Sequence, residues 1–300
     1  RRFMKSHGLR KIRRIHSRWS PGAADALAHL ERREVRSYEA EYVNGLWHSD
    51  FHAGSQKVIL PSGEWITPRL LGVLDDRSRL ACHLQWYVEE TAETFDHGLS
   101  QAIQKRGLPR ALLTDNGSPM IAEETRNGLS DLGIPHETTL PYSPYQNGKQ
   151  EVFWASVEGR LVAMLEGVKH LTLQLLNDAT QAWVELEYNR AFHSEIGCSP
   201  LDRFIKGPSV TRESPSSEHL RFAFRAKATR TQRKSDGTIT VEGVRFEIPS
   251  RYRILDRIHV HYARWDLSSV DHVDPSTHKP IAVHLPLDRV KKADGHRRVN

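Results

Sequence analysis

Cysteine is scarce in this chain of 300 residues. Its two cysteines, Cys82 and Cys198, lie far apart, without a CxxC pair or a nearby HxxxH partner, which disfavours a disulfide scaffold or a cysteine-based zinc site. Apolar runs are short, and none approaches the ~18 to 20 residues that a membrane-spanning helix needs. The first residues, RRFMKSHGLRK, have no apolar segment of the kind found in secretory signals. These absences favour a cytoplasmic protein, and because the chain begins on arginine we expect further residues upstream.

Charge is distributed unevenly along the chain. Residues 1–38 carry 11 basic and 3 acidic groups, a net charge of +8. Residues 39–205 carry 13 basic and 23 acidic groups, a net of −10, and residues 206–300 carry 19 basic and 11 acidic groups, a net of +8. The pattern favours an acidic reaction centre that holds cations, flanked by parts that hold a polyanion. Ordinary variation between domain surfaces is the alternative.

Composition and periodicity predict four parts. Residues 1–41 are predicted to be a basic arm and helical linker, and residues 42–206 a core. In that core the order strand-strand-strand-helix-strand-helix-strand-helix predicts an α/β fold with a mixed sheet. Residues 207–222, rich in Ser and Pro, are predicted to be a linker. Residues 223–300 alternate short apolar and polar runs, which predicts a small all-β barrel.

Several local features of the core are predicted as well. Thr91 is the expected N-cap of a helix, and Thr94, three residues on, is not the Glu or Gln of a capping box. Asp75 and Asp76 are assigned to a hairpin turn, and the pair at 123–124 (Glu-Glu) to a solvated helix face. A helix near 172–191 is predicted to bury one face, formed by Leu175, Ala179, Ala182, Trp183 and Leu186.

Three carboxylates are placed where secondary-structure elements are predicted to end or begin. Asp50 lies within the strand-like GLWHSDFH, Asp115 closes the apolar strand ALLTD, and Glu151 opens a helix after the loop LPYSPYQNGKQE. Hard divalent cations such as Mg²⁺ prefer oxygen ligands, and a two-ion site needs carboxylates from separate elements that converge. A turn-forming role for each carboxylate is the alternative.

The segments WHSDFH, LLTDNGSPM and YSPYQNGKQE, in this order, resemble the integrase catalytic core of insertion-sequence transposases and retroviral integrases. Asp115 and Glu151 are separated by 35 residues, the spacing familiar from that family's DDE triad. Further on, YNRAFHSEIGCSPLDRF resembles the family's closing segment. The resemblance covers about residues 42–205 and implies an RNase H-like mixed sheet flanked by helices, with Asp50, Asp115 and Glu151 as catalytic metal ligands.

The resemblance also implies a function. A DDE-family DNA transposase, a polynucleotidyl transferase, nicks transposon ends and joins the freed 3′-hydroxyl to target DNA with two Mg²⁺ or Mn²⁺ ions and no covalent protein–DNA intermediate. The implied partners are double-stranded DNA, further copies of the chain on that DNA, and an ATPase regulator, in the nucleoid of a bacterial cytoplasm. Two alternatives stay open: a catalytically inactive DNA-binding or assembly protein, and a nuclease of the same fold.

Residues that contact DNA are less well specified. Many relatives place Arg after the glutamate, where this chain has Val152, and some place lysines where it has Ala155 and Glu158. The C-terminal part resembles the small β-barrel that follows the core in Mu-type transposases. The DNA-binding residues expected from the basic arm, the loop and the helix are Arg10, Lys11, Arg13, Arg14, Tyr142, Lys149 and Arg160.

Overall fold

The computed structural model of the chain describes residues 39–139, 148–264, 266–277 and 279–288. The predictions for the basic arm and for most of the loop before Glu151 fall on residues 1–38 and 140–147, outside these ranges. Among the helices of the described ranges, none is long and apolar enough to cross a bilayer.

A five-stranded mixed sheet confirms the predicted α/β core. The strands of the sheet are β1 (Trp47–Ala53), β4 (Arg69–Asp75), β5 (Ala81–Tyr87), β6 (Leu112–Thr114) and β7 (His136–Thr138). Two short strands between β1 and β4, β2 (Val58–Ile59) and β3 (Trp65–Ile66), form a separate hairpin. The strand order is β5-β4-β1-β6-β7. Strand β1 pairs antiparallel with β4 and parallel with β6, and β7 is parallel to β6. Helices cover this sheet as an RNase H-like fold requires.

The helices of the described ranges are α1 (Ala92–Arg106), α2 (Glu123–Asp131), α3 (Gly148–Ser156), α4 (Leu173–Leu186), α5 (Pro200–Lys206) and α6 (Ser217–Ala223). The helix predicted to open at Glu151 is confirmed as α3, and it continues into a π-helical segment, Val157–Val162. Within that segment Val157, Leu161 and Val162 stay buried.

Alternate residues of β4 enter two different cores. Leu71 and Val73 pack in one cluster with residues of α1, α2 and α6. Leu70 and Leu74 pack in another cluster with residues of α3, the π-helical segment and α4. Because successive side chains of a strand point to opposite faces, the sheet is buried on both sides between the two helical layers.

The start of α1 shows a capping box that sequence reasoning had not predicted. Thr91 is the N-cap, as expected, and its hydroxyl accepts from the backbone N–H of Thr94 at 3.2 Å. In return the Thr91 N–H donates to the Thr94 hydroxyl at 3.0 Å. The reciprocal bond needs only a side-chain acceptor at this position, and a threonine supplies one as a glutamate would. At the other end Gly107 ends the helix with φ of 82°.

The predicted apolar face of α4 is wrong in part. Leu175 and Leu186 are 44% and 67% exposed, whereas Trp183 is buried as predicted. The sequence pattern missed Thr180, whose hydroxyl accepts from the Trp86 indole N–H at 2.8 Å and so allows a polar residue in the core. The buried face is formed by Leu176, Thr180, Trp183 and Val184.

The segment predicted as a linker is bonded to the core along its first half. Val43 N–H donates to Pro208 C=O at 2.9 Å, and Leu108 and Arg212 exchange two backbone hydrogen bonds of 2.9 and 3.2 Å. Farther on, Leu220 of α6 is buried in the cluster that contains α1 and α2. The segment is therefore held against the core, and the domain boundaries around it stay a prediction.

The all-β character of the C-terminal part is confirmed. Strands β8 (Ala226–Thr231), β11 (Arg257–Ala263), β12 (Asp266–Val273) and β13 (Pro280–His284) form a sheet in the order β13-β12-β11-β8, and β9 (Thr238–Val241) pairs with β10 (Val244–Glu247). These strands share one core, which includes the fully buried side chains of Ile239, Val241, Phe246, Ile258 and Val260. Closure of the strands into a barrel stays a prediction.

The two glutamates at the start of α2 differ in environment. Glu123 is exposed, as predicted, but Glu124 is buried, and its carboxylate pairs with the Arg264 guanidinium at 3.1 Å. Arg264 lies between β11 and β12, so the partner comes from the C-terminal sheet. The prediction of a solvated face is therefore wrong for Glu124.

Close packing between α2 and α6 gives a stability prediction. A Cβ at Gly128 would lie 2.6 Å from Cε1 and 2.9 Å from Cγ of the Phe224 ring. Gly→Ala inside a helix ordinarily stabilises by about 1 kcal/mol, but overpacking costs about 1–3 kcal/mol. We therefore expect Gly128→Ala to lower the free energy of unfolding in urea. The second substitution Phe224→Leu should restore part of the loss, and a stabilised Gly128→Ala variant would contradict the packing.

Candidate active site

One face of β1 carries His48, Asp50 and His52 at alternate positions. The Trp154 indole N–H of α3 donates to Asp50 Oδ2 at 3.4 Å. His52 stacks on the Trp154 ring at 5.2 Å between centroids, and its Nε2 lies 2.8 Å from Glu158 Oε1. This face of the central strand is therefore covered by α3 and the segment that follows it.

Asp115 lies beside Asp50 because of the strand register. Strand β6 runs parallel to β1 with Ser49 opposite Thr114, and the next residues along the two strands are Asp50 and Asp115. After β6 the chain turns sharply, and the Gly117 N–H donates to Asp115 Oδ1 at 2.8 Å. Two carboxylates that are far apart in sequence thus meet at the middle of the sheet.

The electrostatics of this pair are unfavourable for two negative charges. Burial, together with the charge of Asp115, raises the pKa of Asp50 to about 6. The hydrogen bonds from Trp154 and from the backbone of Phe51 oppose the shift only in part. A bound cation would relieve both the repulsion and the burial cost.

Glu151 lies in the first turn of α3, a helix that packs against β1. Gln150, just before it, is buried and donates to Gly72 C=O at 3.3 Å, and Gly72 is the register partner of Asp50. Trp154, one turn after Glu151, bonds Asp50 itself. Glu151 is exposed, at the edge of the buried side of the helix. The turn that carries it is therefore adjacent to Asp50.

Two carboxylates are a donor set that suits a hard divalent cation. Mg²⁺ is usually held by one or two carboxylates together with substrate phosphate and water. Asp50 and Asp115 fit that description. In the described part of the chain no group of three or more His, Cys, Asp or Glu side chains lies close enough to hold a metal ion. The role of Glu151 as a third ligand therefore stays a prediction.

The residues predicted to contact DNA are placed as follows. Lys149 is at the start of α3, where its ammonium bonds the buried Asp76. Arg160 is half-exposed, 3.6 Å from Glu187 and over the Trp183 ring at 5.8 Å. The remaining ones, Arg10, Lys11, Arg13, Arg14 and Tyr142, lie outside the described ranges.

Sequence reasoning missed the polar residues that support the two aspartates. Asp76 was predicted only as a turn residue, and no role was predicted for the Trp154 indole N–H. Asp76 is fully buried, with its carboxylate 2.6 Å from His48 Nε2 and 2.5 Å from Lys149 Nζ. The sequence did contain one signal: His48, Asp50 and His52 alternate along a predicted strand. This spacing indicates that their side chains lie on the same face, since every second residue of a strand shares a face.

Comparison with known families gives one match. Residues 40–144 match the model of the family described as "Integrase core domain". The matched region includes both Asp50 and Asp115 and ends before Glu151.

Comparison with known proteins gives relatives of low identity. An uncharacterized protein of Caenorhabditis elegans is 25% identical over an alignment of 153 residues. The match covers 45% of this chain, and the chain spans 12% of that relative's length. The catalytic core of BIV integrase has a TM-score of 0.41 at 21% identity and covers 54% of this chain and 95% of its own.

The HTLV-2 integrase catalytic core in complex with magnesium has a TM-score of 0.43 at 19% identity, covering 53% of this chain and 95% of its own. The simian T-cell lymphotropic virus intasome in complex with a PP2A regulatory subunit has a TM-score of 0.47 at 16% identity, covering 84% of this chain and 79% of its own. Residues 40–144 are therefore similar to an integrase core, and the mixed order of the strands agrees with that similarity.

Proposed function

We propose that the protein is a DNA transposase of the polynucleotidyl-transferase class, acting on transposon ends and on target DNA. The observation that carries the proposal is the adjacency of Asp50 and Asp115 in the integrase-like core. These two partly buried carboxylates lie on β1 and at the end of the neighbouring strand β6. A DNA-binding module without catalysis needs no such pair, because burial and repulsion make it costly.

The residues of the chain hold and orient the site. Asp50 and Asp115, with Glu151 as the proposed third ligand, would hold Mg²⁺ or Mn²⁺, and we assign two ions to the site. A divalent cation there supplies Lewis-acid stabilisation of the charge on the reacting phosphate. Trp154 orients Asp50 through its indole N–H, and the Gly117 N–H orients Asp115.

The proposed reaction has two steps of the same kind. In the first, a water oxygen forms a bond to phosphorus at the transposon end while the bond from phosphorus to the 3′-oxygen breaks, which leaves a 3′-hydroxyl. In the second, that 3′-oxygen forms a bond to a phosphorus of the target strand, and the target's own 3′-oxygen departs. Each step exchanges one P–O bond for another, so neither needs an oxidant, a reductant or a covalent link to the protein.

The charge distribution supports a polyanionic partner. Residues 206–300 carry a net charge of +8, and nine Lys and Arg residues lie between positions 225 and 257. Basic groups of this number bind phosphates by releasing condensed counterions. Both ends of a transposon must be held together with the target, so we also propose that copies of the chain assemble on DNA. The involvement of an ATPase regulator stays a prediction.

A strand-transfer assay tests the proposal. The protein is incubated with labelled DNA that carries candidate terminal repeats, with a circular target and with Mg²⁺. We expect nicked ends and then joined products, and neither when EDTA removes the metal. Nicking without joining would favour the nuclease alternative. DNA binding without either product would favour the inactive assembly protein and contradict the proposal.

A further inference from the structure

The side chain of Asp76 is a fully buried carboxylate with three donors around it. Its Oδ1 lies 2.6 Å from His48 Nε2 and 2.5 Å from Lys149 Nζ, and its Oδ2 accepts from the Ala40 N–H at 2.6 Å. Burial opposes ionisation of Asp76, but its interactions with His48, Lys149 and the Ala40 N–H outweigh burial and hold its pKa well below the usual value. The carboxylate is therefore an ionised anchor inside the fold.

Two of the three donors belong to elements that carry the candidate site. His48 lies on β1, two residues before Asp50, and Lys149 lies in the first turn of α3, two residues before Glu151. Asp76 itself follows β4, at the start of the β4–β5 turn. One side chain thus joins the strand that bears one proposed metal ligand to the helical turn that bears another.

The hairpin turn itself depends on Asp75. The Asp75 carboxylate accepts from the Ser78 N–H at 2.8 Å and from the Ser78 hydroxyl at 2.6 Å, and also from the Asn44 N–H at 2.7 Å. The carboxylate of Asp76 points instead to Ala40, β1 and α3. Closing the turn therefore does not account for the buried charge of Asp76.

The first turn of a helix needs such an anchor when it carries a functional group. Its leading N–H groups have no partner within the helix, and helix ends open more readily than helix middles. Farther along, the π-helical segment that follows α3 is held by Glu158, which bonds His52 of β1 and Ser55. At its start, Lys149 supplies the ionic contact through Asp76, and Gln150 adds one neutral hydrogen bond to Gly72.

We propose that Asp76 is a positioning residue, which holds the Glu151-bearing turn of α3 against β1 and thereby sets the affinity of the site for divalent cations. This inference rests on the proposed function, because it takes Asp50 and Glu151 to serve one metal site. Asp76 does not touch the reacting atoms; it acts through His48 and Lys149.

Two measurements on the Asp76→Asn variant of the full chain test the proposal. Hydrogen–deuterium exchange without metal should accelerate at the backbone amides of residues 150–153 and stay unchanged in the middle of α4. Mn²⁺ binding, followed by electron paramagnetic resonance with Mn²⁺ alone, should weaken on the order of tenfold, the scale seen when contacts that support metal ligands are removed. The matched control, Asp202→Asn, removes an exposed carboxylate that pairs with Lys206, and it should change neither measurement.

Lys149→Met covers the case in which Asp76→Asn fails to fold. Methionine keeps most of the apolar stem of lysine and leaves Asp76 with its bonds to Ala40 and His48. The same faster exchange and weaker Mn²⁺ binding are expected, and the double variant should be no worse than the more affected single variant. Unchanged exchange at residues 150–153, or Mn²⁺ affinity equal to wild type, overturns the positioning role. If wild type itself binds no Mn²⁺, the proposed metal site is overturned, whereas the exchange data separately decide whether Asp76 anchors α3.

Discussion

Asp115→Asn is expected to reduce strand transfer on the order of 10³-fold or more, while DNA binding stays close to wild type. The amide keeps the size of the side chain and an oxygen that accepts from the Gly117 N–H. It lacks the negative charge that a hard cation requires, and removing one such stabilising group costs ~10²–10³-fold or more in rate. Asp50→Asn and Glu151→Gln are expected to behave alike. Joined products in Mg²⁺ and DNA binding at the same salt concentration are the two measurements.

The pH dependence of stability shows whether a variant has lost only its catalytic activity or has also lost its folded structure. The pKa of Asp50 is raised from 3.8 to about 6 in the folded protein, so ionising it at neutral pH costs the folded state about 3 kcal/mol. That cost is absent below the unfolded pKa and grows as the pH rises toward the folded pKa. Asp50→Asn should therefore be at least as stable as wild type at pH 7, and its relative advantage should disappear near pH 4 in urea unfolding curves.

Two results would contradict the assignment of the three carboxylates. The first is joining at a wild-type rate by any of the three variants. The second is an Asp50→Asn protein that is inactive but also markedly less stable at pH 7, since unfolding would then account for the lost activity. A stable, DNA-binding and inactive variant is the outcome that the geometry predicts.

Asn189→Ala is expected to lower the free energy of unfolding by about 3 kcal/mol, the cost of leaving a buried N–H and C=O unpaired. Asn189 is fully buried, accepts from the Ala81 N–H at 3.0 Å and donates to the Ala81 C=O at 3.1 Å. Strand β5 is an edge of the sheet, and these two bonds replace those of a neighbouring strand. Urea unfolding at neutral pH, with the slope compared with that of wild type, measures the loss.

Asn177 provides the matched control for this prediction. It makes the same pair of bonds to the N–H and C=O of Trp86, at 2.8 and 3.0 Å, but it is only partly buried. Water can replace part of the hydrogen bonding that the Asn177 side chain supplies to the backbone of Trp86. Asn177→Ala should therefore lower the free energy of unfolding clearly less than Asn189→Ala. Equal losses in the two variants would show that burial of the strand edge does not set the cost.

The sequence alone determined the elements whose signals are local. Alternation and turn residues placed Asp50 inside a strand and Asp115 at the end of another, and Thr91 marked the start of α1 correctly. The motifs around these aspartates identified the integrase-like core. Each of these signals depends on neighbours within a few residues, where backbone preferences and side-chain alternation act directly.

The tertiary structure decided which polar side chains are buried and what they bond. Asp76 meets donors from positions 28, 36 and 73 residues away. The buried Glu124 pairs with Arg264, which lies between two strands of the C-terminal sheet. Thr180 can lie in the core because its hydroxyl accepts from the Trp86 indole N–H. A buried polar group is stable only with a partner, and that partner is chosen by folding rather than by adjacency in the chain. For this reason the sequence placed Asp76 correctly in a turn but did not predict its partners, and it wrongly assigned Glu124 to solvent.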